Sequence, residues 1–374
     1  MKHITILLIS AILTSCSHKG LKVENVLNIN LDEAENIDIE DYIEDVSCIV
    51  LTDNPLRDCW RIIEYGNFIY MYSLSDFAVS IHTSSGKFVR NINSSGKGSV
   101  TLPTCVYINK HKNELWILDE RYYINTYTLS GDFIERKELP FAAVNVCNIN
   151  NNYLFYDGGN DRNNKYYFHL SSFDNGAFNL ISSHIEKSEK KISAHIPPAL
   201  FTYNNSLDTV YTLPKQNSTV YFSENKNTLT PLFKLKSDKY TILDEEDFPA
   251  KGFTDKEFSD ILKNGNIISI ISNFYYSNRK LFFRTNNTGY PYYMLHVDNS
   301  KLYCFNELME GLRTSTPATS IQGSNGEYLY FFFSVKEIRE HYKKKSLPSK
   351  YPTINQVLND GNDSEDVIVK IKII

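Results

Sequence analysis

The sequence predicts an all-β fold: a six-bladed β-propeller with four-stranded blades, short helical insertions, and a ring closed by pairing of the N- and C-terminal strands. Three observations predict it. Tyr and Phe number 26 and 22, and aromatic and β-branched residues favour strands. Short apolar runs alternate with turn residues along the chain. One pattern recurs with a period of about 45 residues, the spacing of propeller blades.

The first blade is the clearest. Ile62 to Tyr65, a Gly66-Asn67 turn, Phe68 to Tyr72, Ala78 to His82, a Ser84-Ser85-Gly86 turn and Phe88 to Ile92 read as four strands. Sliding by one period places Leu115 to Leu118 on the second strand and Ile124 to Tyr127 on the third. Thr128-Leu129-Ser130-Gly131-Asp132-Phe133 then repeats Thr83-Ser84-Ser85-Gly86-Lys87-Phe88. Gly86 and Gly131 suit a hairpin tip that needs positive φ.

Weaker copies are expected at Ala142 to Ser182, Ala199 to Lys236 and Ile267 to Phe305. A sixth begins near Ile321, carries Tyr328 to Phe333 and resumes at Asp366 to Ile374. Val46 to Leu51 has no blade of its own and is expected to complete the sixth. A four-stranded blade cannot bury both faces alone, so blades stack and the ring closes. Asp255 to Lys263, Val335 to Lys345 and Ile354 to Leu358 have helical spacing and read as insertions, which map to loops on one face of a repeat fold.

Residues 1–15 read as a lipoprotein signal peptide, 16–45 as the lipidated cysteine and a tether, and 46–374 as the propeller. Lys2 is followed by the apolar run Ile4 to Leu13 and then Leu13-Thr14-Ser15-Cys16. That run is about half the roughly twenty residues a membrane-spanning helix needs. The tetrapeptide resembles the bacterial lipobox, so Cys16 is expected to carry the lipid. Two or three acyl chains hold a protein to a membrane far more firmly than one. Ser17 to Asp45 is polar and acidic and reads as a tether followed by a lead-in to the domain.

Charged residues at 22% and hydrophobic residues at 42% describe a globular chain. The net charge of −5 gives no global basic bias toward nucleic acid. Lys343 to Lys345 read as a solvated helix face. Beyond Cys16 the cysteines are Cys48, Cys59, Cys105, Cys147 and Cys304, read as small core residues. Cys48 with Cys59 is the one sequence-close candidate disulfide. None has the paired spacing of a zinc site, so no metal and no cofactor is expected.

Catalytic signatures for zinc proteases, phosphate loops, dinucleotide sites and serine hydrolases are absent from the sequence. Asp157, Asn160 and Asp161 lie in a polar loop that lacks the spacing of a calcium hand and reads as a turn. Asp244, Glu245, Glu246 and Asp247 read as solvated carboxylates with nothing facing them. The aromatic stretch from Tyr275 to Tyr293 reads mainly as core. Tyr290 and Tyr292, beside Gly289 and Pro291, are the candidates for exposure and ligand stacking.

The chain resembles the six-bladed β-propeller lipoproteins of Bacteroidetes, whose blades are similar to NHL-type repeats. The carriers are Asp76 with Val79 to His82, Gly86-Lys87-Phe88-Val89, Ser95-Gly96-Lys97-Gly98, Leu118-Asp119, Gly131-Asp132-Phe133 and the strand Asp366 to Lys372. That family's glycine-rich turn continues with Pro, Gly and Glu, where this chain has Ser99-Val100-Thr101. The resemblance implies blades but no chemistry. It leaves two expectations. One is a membrane-anchored binding or scaffolding module for a glycan, peptide or protein partner. The other is a hydrolase or lyase with its site at the central channel. Surface-exposed members carry acidic residues after the lipidated cysteine. Ser17-His18-Lys19-Gly20 has none, which favours the periplasmic face of the outer membrane.

Overall fold

The fold was analysed in a computed structural model. It describes residues 26–374 apart from 159–163, 175, 188–200, 205–208, 214–216, 225–226, 243–255, 258–259, 261–266, 269–270, 287–290, 307–319 and 343–350.

Six four-stranded antiparallel sheets form a ring of blades, as the periodicity predicts. Blade 1 comprises Arg61–Tyr65, Phe68–Ser73, Ala78–Thr83 and Phe88–Ile92. Blade 2 comprises Pro103–Asn109, Glu114–Asp119, Tyr123–Thr128 and Phe133–Glu138. Blade 3 runs from Asn145–Ile149 to Ala177–Glu186 and blade 4 from Phe201–Asn204 to Thr230–Lys236. Blade 5 runs from Ile271–Ser277 to Leu302–Phe305. The first strand of each blade is innermost, and the fourth forms the rim.

Blade 6 closes the ring. Its strands are Gly323–Ser324, Tyr328–Ser334, Asp366–Ile373 and, from the other end of the chain, Ile43–Leu51. The last two pair antiparallel with Val46 opposite Ile371 and Val50 opposite Val367. The closure predicted for Val46 to Leu51 is thus observed.

The hydrophobic core of the described residues is divided among the six junctions between neighbouring blades. Val79 and Ile81 of blade 1 pack with Val106 and Ile117 of blade 2. Trp116 of blade 2, almost wholly buried, stacks at 4.8 Å on Tyr153 of blade 3 and meets Phe178 edge-on at 5.9 Å. Such aromatic pairs contribute about 0.5–1.5 kcal/mol beyond the area they bury. Phe331 and Val369 of blade 6 pack with Phe282 and Met294 of blade 5, and Ile368 and Tyr330 pack on Ile62 and Met71 of blade 1.

The acidic lead-in corrects the tether expectation. From Val26 onward it lies against the ring. Leu27–Asn30 runs parallel to the rim strand of blade 4, and Glu35–Asn36 parallel to that of blade 5. Asp32 fixes the first contact by accepting from Ser237 Oγ, Asp238 N and Lys239 N at 3.0, 2.5 and 2.9 Å. Slight burial raises its carboxyl, but these donors outweigh that and hold it below the ordinary carboxylate range. Residues 1–25, and with them Cys16, lie outside the described residues.

Helices α1 (Val335–Tyr342) and α2 (Pro352–Asp360) occupy the connection between the second and third strands of blade 6. Ser334 caps α1 in a box with Glu337: its Oγ accepts from Glu337 N, and Glu337 accepts from Ser334 N. Both helices were expected from spacing. The Asp255 to Lys263 segment falls largely outside the described residues. Among those described, no helix is long and apolar enough to cross a membrane.

Candidate functional site

Strand direction gives the ring two unlike faces. One carries tight turns such as Gly66-Asn67, Asn150-Asn151 and Asn278-Arg279, together with the hairpin tips at Gly86 and Gly131. The opposite face carries the described connections from a rim strand to the next inner strand, 52–60, 93–102 and 139–144, and those from second to third strand at 74–77 and 120–122, together with α1 and α2. The longer of the described connections and both helices share that end of the blades, so it is the candidate binding face.

Five of the described carboxylates on this face hold its loops. Asp76 accepts from Arg57 N and Nε at 2.8 and 2.6 Å. Burial alone would raise its carboxyl, but these donors and Ser73 outweigh that and hold it low. Asp58 accepts from Ser73, from Ser75 Oγ at 2.5 Å and from Trp60 Nε1 at 3.2 Å. Asp119, fully buried, accepts from Thr101 N and Leu102 N at 3.0 and 2.7 Å. Asp157 pairs with Lys187. Asp366 accepts from Asn54 Nδ2 at 2.7 Å, and burial raises its carboxyl despite that bond.

At the axis the first residues of the inner strands meet. Arg61 Nη1 of blade 1 stands 3.8 Å from Cys105 Sγ of blade 2. Cys105 donates to Asn145 Oδ1 of blade 3 at 3.0 Å. Burial raises the thiols of Cys105 and Cys147 and the hydroxyl of Tyr275, and the charge of Arg61 pulls against that rise in all three. One guanidinium therefore stands near buried groups of blades 2, 3 and 5 at the start of the inner strands.

Large apolar side chains are exposed on the same face of blades 1 and 2: Trp60 at 51%, Phe77 at 41% and Tyr122 at 42%, with Leu74 and Leu102. Trp60 directly precedes the inner strand of blade 1. Phe77 and Tyr122 each precede the third strand of their blade, so they are the same repeat position. Sequence reading missed this set, although the slide of about 45 residues superposes the two aromatics. Phe77 holds φ at +47°, and Tyr122 follows Glu120 and Arg121 at +52° and +67°. Side chains other than Gly and Asn pay for that conformation.

The exposure expected of Tyr292 is corrected. Its ring is fully buried, stacked at 5.7 Å on Phe305, and its hydroxyl accepts from Asn273 Nδ2 and Ile321 N, both at 2.9 Å. It ties blade 5 to the entry of blade 6 and offers no surface to a ligand. Tyr290 lies outside the described residues, as do Asn160, Asp161 and Asp244 to Asp247. The candidate disulfide is also corrected: Cys48, Cys59, Cys105, Cys147 and Cys304 are all free. Among the described residues no three His, Cys, Asp or Glu side chains stand together as a metal site.

The ring defines the chain as a six-bladed β-propeller. It belongs to the family described as a domain of unknown function, DUF4934, whose model matches residues 24–372. Among solved structures it is similar to a Bacteroides fragilis protein described as exported. The TM-score is 0.75 and the identity 15%, over 94% of this chain and 100% of that one. A DUF4221-family member from Bacteroides vulgatus matches with TM-score 0.48 and 9% identity over 89% and 97%. A Staphylococcus aureus virginiamycin B lyase matches with TM-score 0.45 and 14% identity over 88% and 100%. No curated protein matches.

Proposed function

We propose that the chain is a lipid-anchored binding module of the NHL-like Bacteroidetes lipoprotein kind. In this reading Cys16 holds the propeller to the membrane and the loop-bearing face receives a glycan, peptide or protein partner. One observation carries the reading: on that face Asp58, Asp76, Asp119 and Asp366 are bonded into loops, while large apolar side chains are exposed. General acid–base chemistry needs a carboxyl free to exchange protons with substrate. An exposed cluster of Trp, Phe, Tyr and Leu is instead the composition of an interaction surface.

The lead-in supports an orientation. Leu27 pairs with Phe233 midway along the blade 4 rim strand and runs parallel to it, away from the tight-turn face, and the ten residues from Cys16 to Val26 reach at most about 35 Å. A lipid on Cys16 would leave from the side opposite the loops. The absence of acid at 17 to 20 supports the periplasmic face of the outer membrane over the cell surface.

The test has two parts. Cells expressing the full chain or Cys16→Ala are labelled with palmitate, fractionated and shaved with protease. Label and membrane retention lost only in the variant, with the wild type protected from shaving, would bear the reading out. Palmitate label on the variant would refute the anchor. Purified full chain is then tried against arrayed glycans and peptides and a panel of glycan and lactone substrates. Turnover abolished by substitutions at the channel mouth would replace the binding reading with a lyase or hydrolase.

A further inference from the structure

We propose that residues 19–24 dock along the outer edge of the blade 3 rim strand, as a further turn of the lead-in that lines blades 4 and 5, and so bring the anchor at Cys16 to that rim. The docking rests on the chain's own repeat. The membrane-facing side that it assigns rests on the lipid reading of Cys16.

The lead-in advances one blade every eight residues. Leu27 pairs with Phe233 on the blade 4 rim, Glu35 with Tyr303 on the blade 5 rim, and Ile43 begins the rim strand of blade 6. Its sequence repeats at the same interval: Ile29-Asn30-Leu31-Asp32 and Ile37-Asp38-Ile39-Glu40 alternate apolar and polar residues and end on an acid. Ile29, Leu31 and Ile39 are buried, and the two turns between blades are short 3-10 helices at Leu31–Glu33 and Ile39–Tyr42. Leu31 and Ala34 pack with Leu235 and Leu302, where the rim strand of blade 4 ends and that of blade 5 begins. Leu21-Lys22-Val23-Glu24 is another copy, eight residues earlier. It departs at Lys22, which cannot accept the amide bond that Asn30 and Asp38 accept.

Blade 3 has the matching edge. Its sheet ends at Ala177–Glu186, whereas the sheets of blades 4 and 5 each carry a fifth strand from the lead-in. A strand edge presents a row of backbone donors and acceptors to any added strand. Ile185, near the end of the blade 3 rim strand, and Leu229, just before that of blade 4, pack on one cluster between the blades and stay partly exposed. They stand where Leu235 and Leu302 stand at the next junction, and no lead-in residue is among the described members of their cluster. The receiving sequence recurs as well. Asp32 is held by Ser237, Asp238 and Lys239, within Lys236-Ser237-Asp238-Lys239 at the end of the blade 4 rim strand. Lys187-Ser188-Glu189-Lys190 follows the blade 3 rim strand, and aligning the two runs sets His184 where Phe233 is. Both pair with a buried residue of the third strand, Phe168 and Val220. Leu27 pairs with Phe233, so Lys19 falls beside His184 and Glu24 takes the place of Asp32. Residues 19–24 and 188–190 lie outside the described residues, while the edge itself is described.

Cys16 precedes Lys19 by three residues, which sets it beside Ile181, about 10 Å back along the rim toward the tight-turn face. Leu180 and Ile181, adjacent aliphatic side chains on this outermost strand, are exposed at 53% and 49%. Acyl chains and these side chains then enter the same apolar layer, and blade 3 is the edge held at the membrane.

Amide hydrogen exchange, read by mass spectrometry on the purified full chain with and without the paired substitutions Leu21→Asp and Val23→Asp, tests the docking. Exchange across 182–186 should be about tenfold faster in the variant, while the rims of blades 1 and 2, at 88–92 and 133–138, should exchange as in the wild type. Leu21→Ile with Val23→Ile should keep the wild-type protection. Equal exchange across 182–186 in the wild type and the Asp variant would overturn the inference and leave the palmitate test of Cys16 untouched. Protection that survives the Asp substitutions and rises with protein concentration would assign the edge to a second copy and overturn it equally. The membrane-facing side is read in vesicles carrying nitroxide lipids. A fluorophore on Ile181→Cys should be quenched several-fold more than one on Ile134→Cys, exposed on the blade 2 rim, with the unsubstituted chain giving the background. Equal quenching at the two positions would overturn the assigned edge. A chain without palmitate would remove the anchor reading alone, because the exchange contrast needs no lipid.

Discussion

Blades 1 and 2 are copies of one pattern set beside different neighbours. Gly86 and Gly131 occupy the same hairpin position, at φ +88° and +89°. A side chain at Gly86 would meet the carbonyl oxygen of Val50, in the closing strand of blade 6, at 2.0 Å. At Gly131 it would meet the ends of the Ile81 and Arg90 side chains, at 2.7 and 3.0 Å. Glu64 of blade 1 holds Lys370 and Tyr330 of blade 6. Its counterpart Asn109 donates to Tyr153 of blade 3 at 2.9 Å. His82 of blade 1 is replaced by Tyr127. The repeat thus specifies the turn, while the neighbouring blade decides how much each position matters. Blade 1 carries the greater load because its neighbour is assembled from both ends of the chain.

The largest effect is expected from breaking that neighbour. Removing residues 26–51 deletes the rim strand of blade 6 and leaves the blade 1 junction without Ile49 and Leu51. Loss of a cooperative thermal transition should follow. A permuted chain placing residues 43–51 after Ile374 through a short hairpin should recover it, because Ile373 already lies opposite Ile43. Calorimetry on both checks this.

Next come the paired polar contacts. Lys370→Met leaves Glu64 largely buried without its cation, and about 3 kcal/mol should be lost. Tyr153→Phe removes one neutral hydrogen bond from Asn109 and should cost about 1 kcal/mol. Urea denaturation of the two variants measures the contrast. Equal losses would mean that the closure junction is no more demanding than the next.

The two glycines give a sharper comparison on a smaller scale. Gly131→Ala should cost about 1–2 kcal/mol from the left-handed conformation alone. Gly86→Ala adds a clash with backbone that cannot rotate aside, and its cost should exceed the other by a further 1–3 kcal/mol, roughly. Thermal denaturation orders them.

The smallest effect is a pH dependence. Burial lowers the pKa of His82 below its ordinary value, and the Gly86 carbonyl only partly offsets this. The native state therefore holds the ring neutral. Below about pH 6.5 the unfolded chain binds the proton first, so this contribution falls as pH drops through the folded value. His82→Gln should flatten the stability profile between pH 7 and 5, roughly, relative to wild type. An unchanged slope would assign the acid sensitivity to other groups, with His296, also lowered by burial, the first to test.

Much of the ring was legible because its signals are local. Alternation, turn residues and a period near 45 are written within each blade, and the expected blades agree with the observed ones to within a few residues. The orphan status of Val46 to Leu51 was enough to close the ring. The site was far less legible. Tyr292 lies beside Pro291, which reads as a loop edge, yet its burial depends on Phe305 and Ile321 from elsewhere in the fold. The lead-in reads as a tether because acidic residues are usually solvated. It docks because Asp32 finds three donors from Ser237, Asp238 and Lys239, some two hundred residues away.

The sequence by itself determined that there are blades, where their hairpins turn and which residues alternate inward. Those follow from strand pleating and from the few residues that accept positive φ. The tertiary structure decided which blade absorbs each end of the chain, which carboxylates are spent on loops, and that Trp60, Phe77, Tyr122 and Arg61 share one face. Such outcomes depend on which blades become neighbours when the ring closes, and no local pattern encodes that.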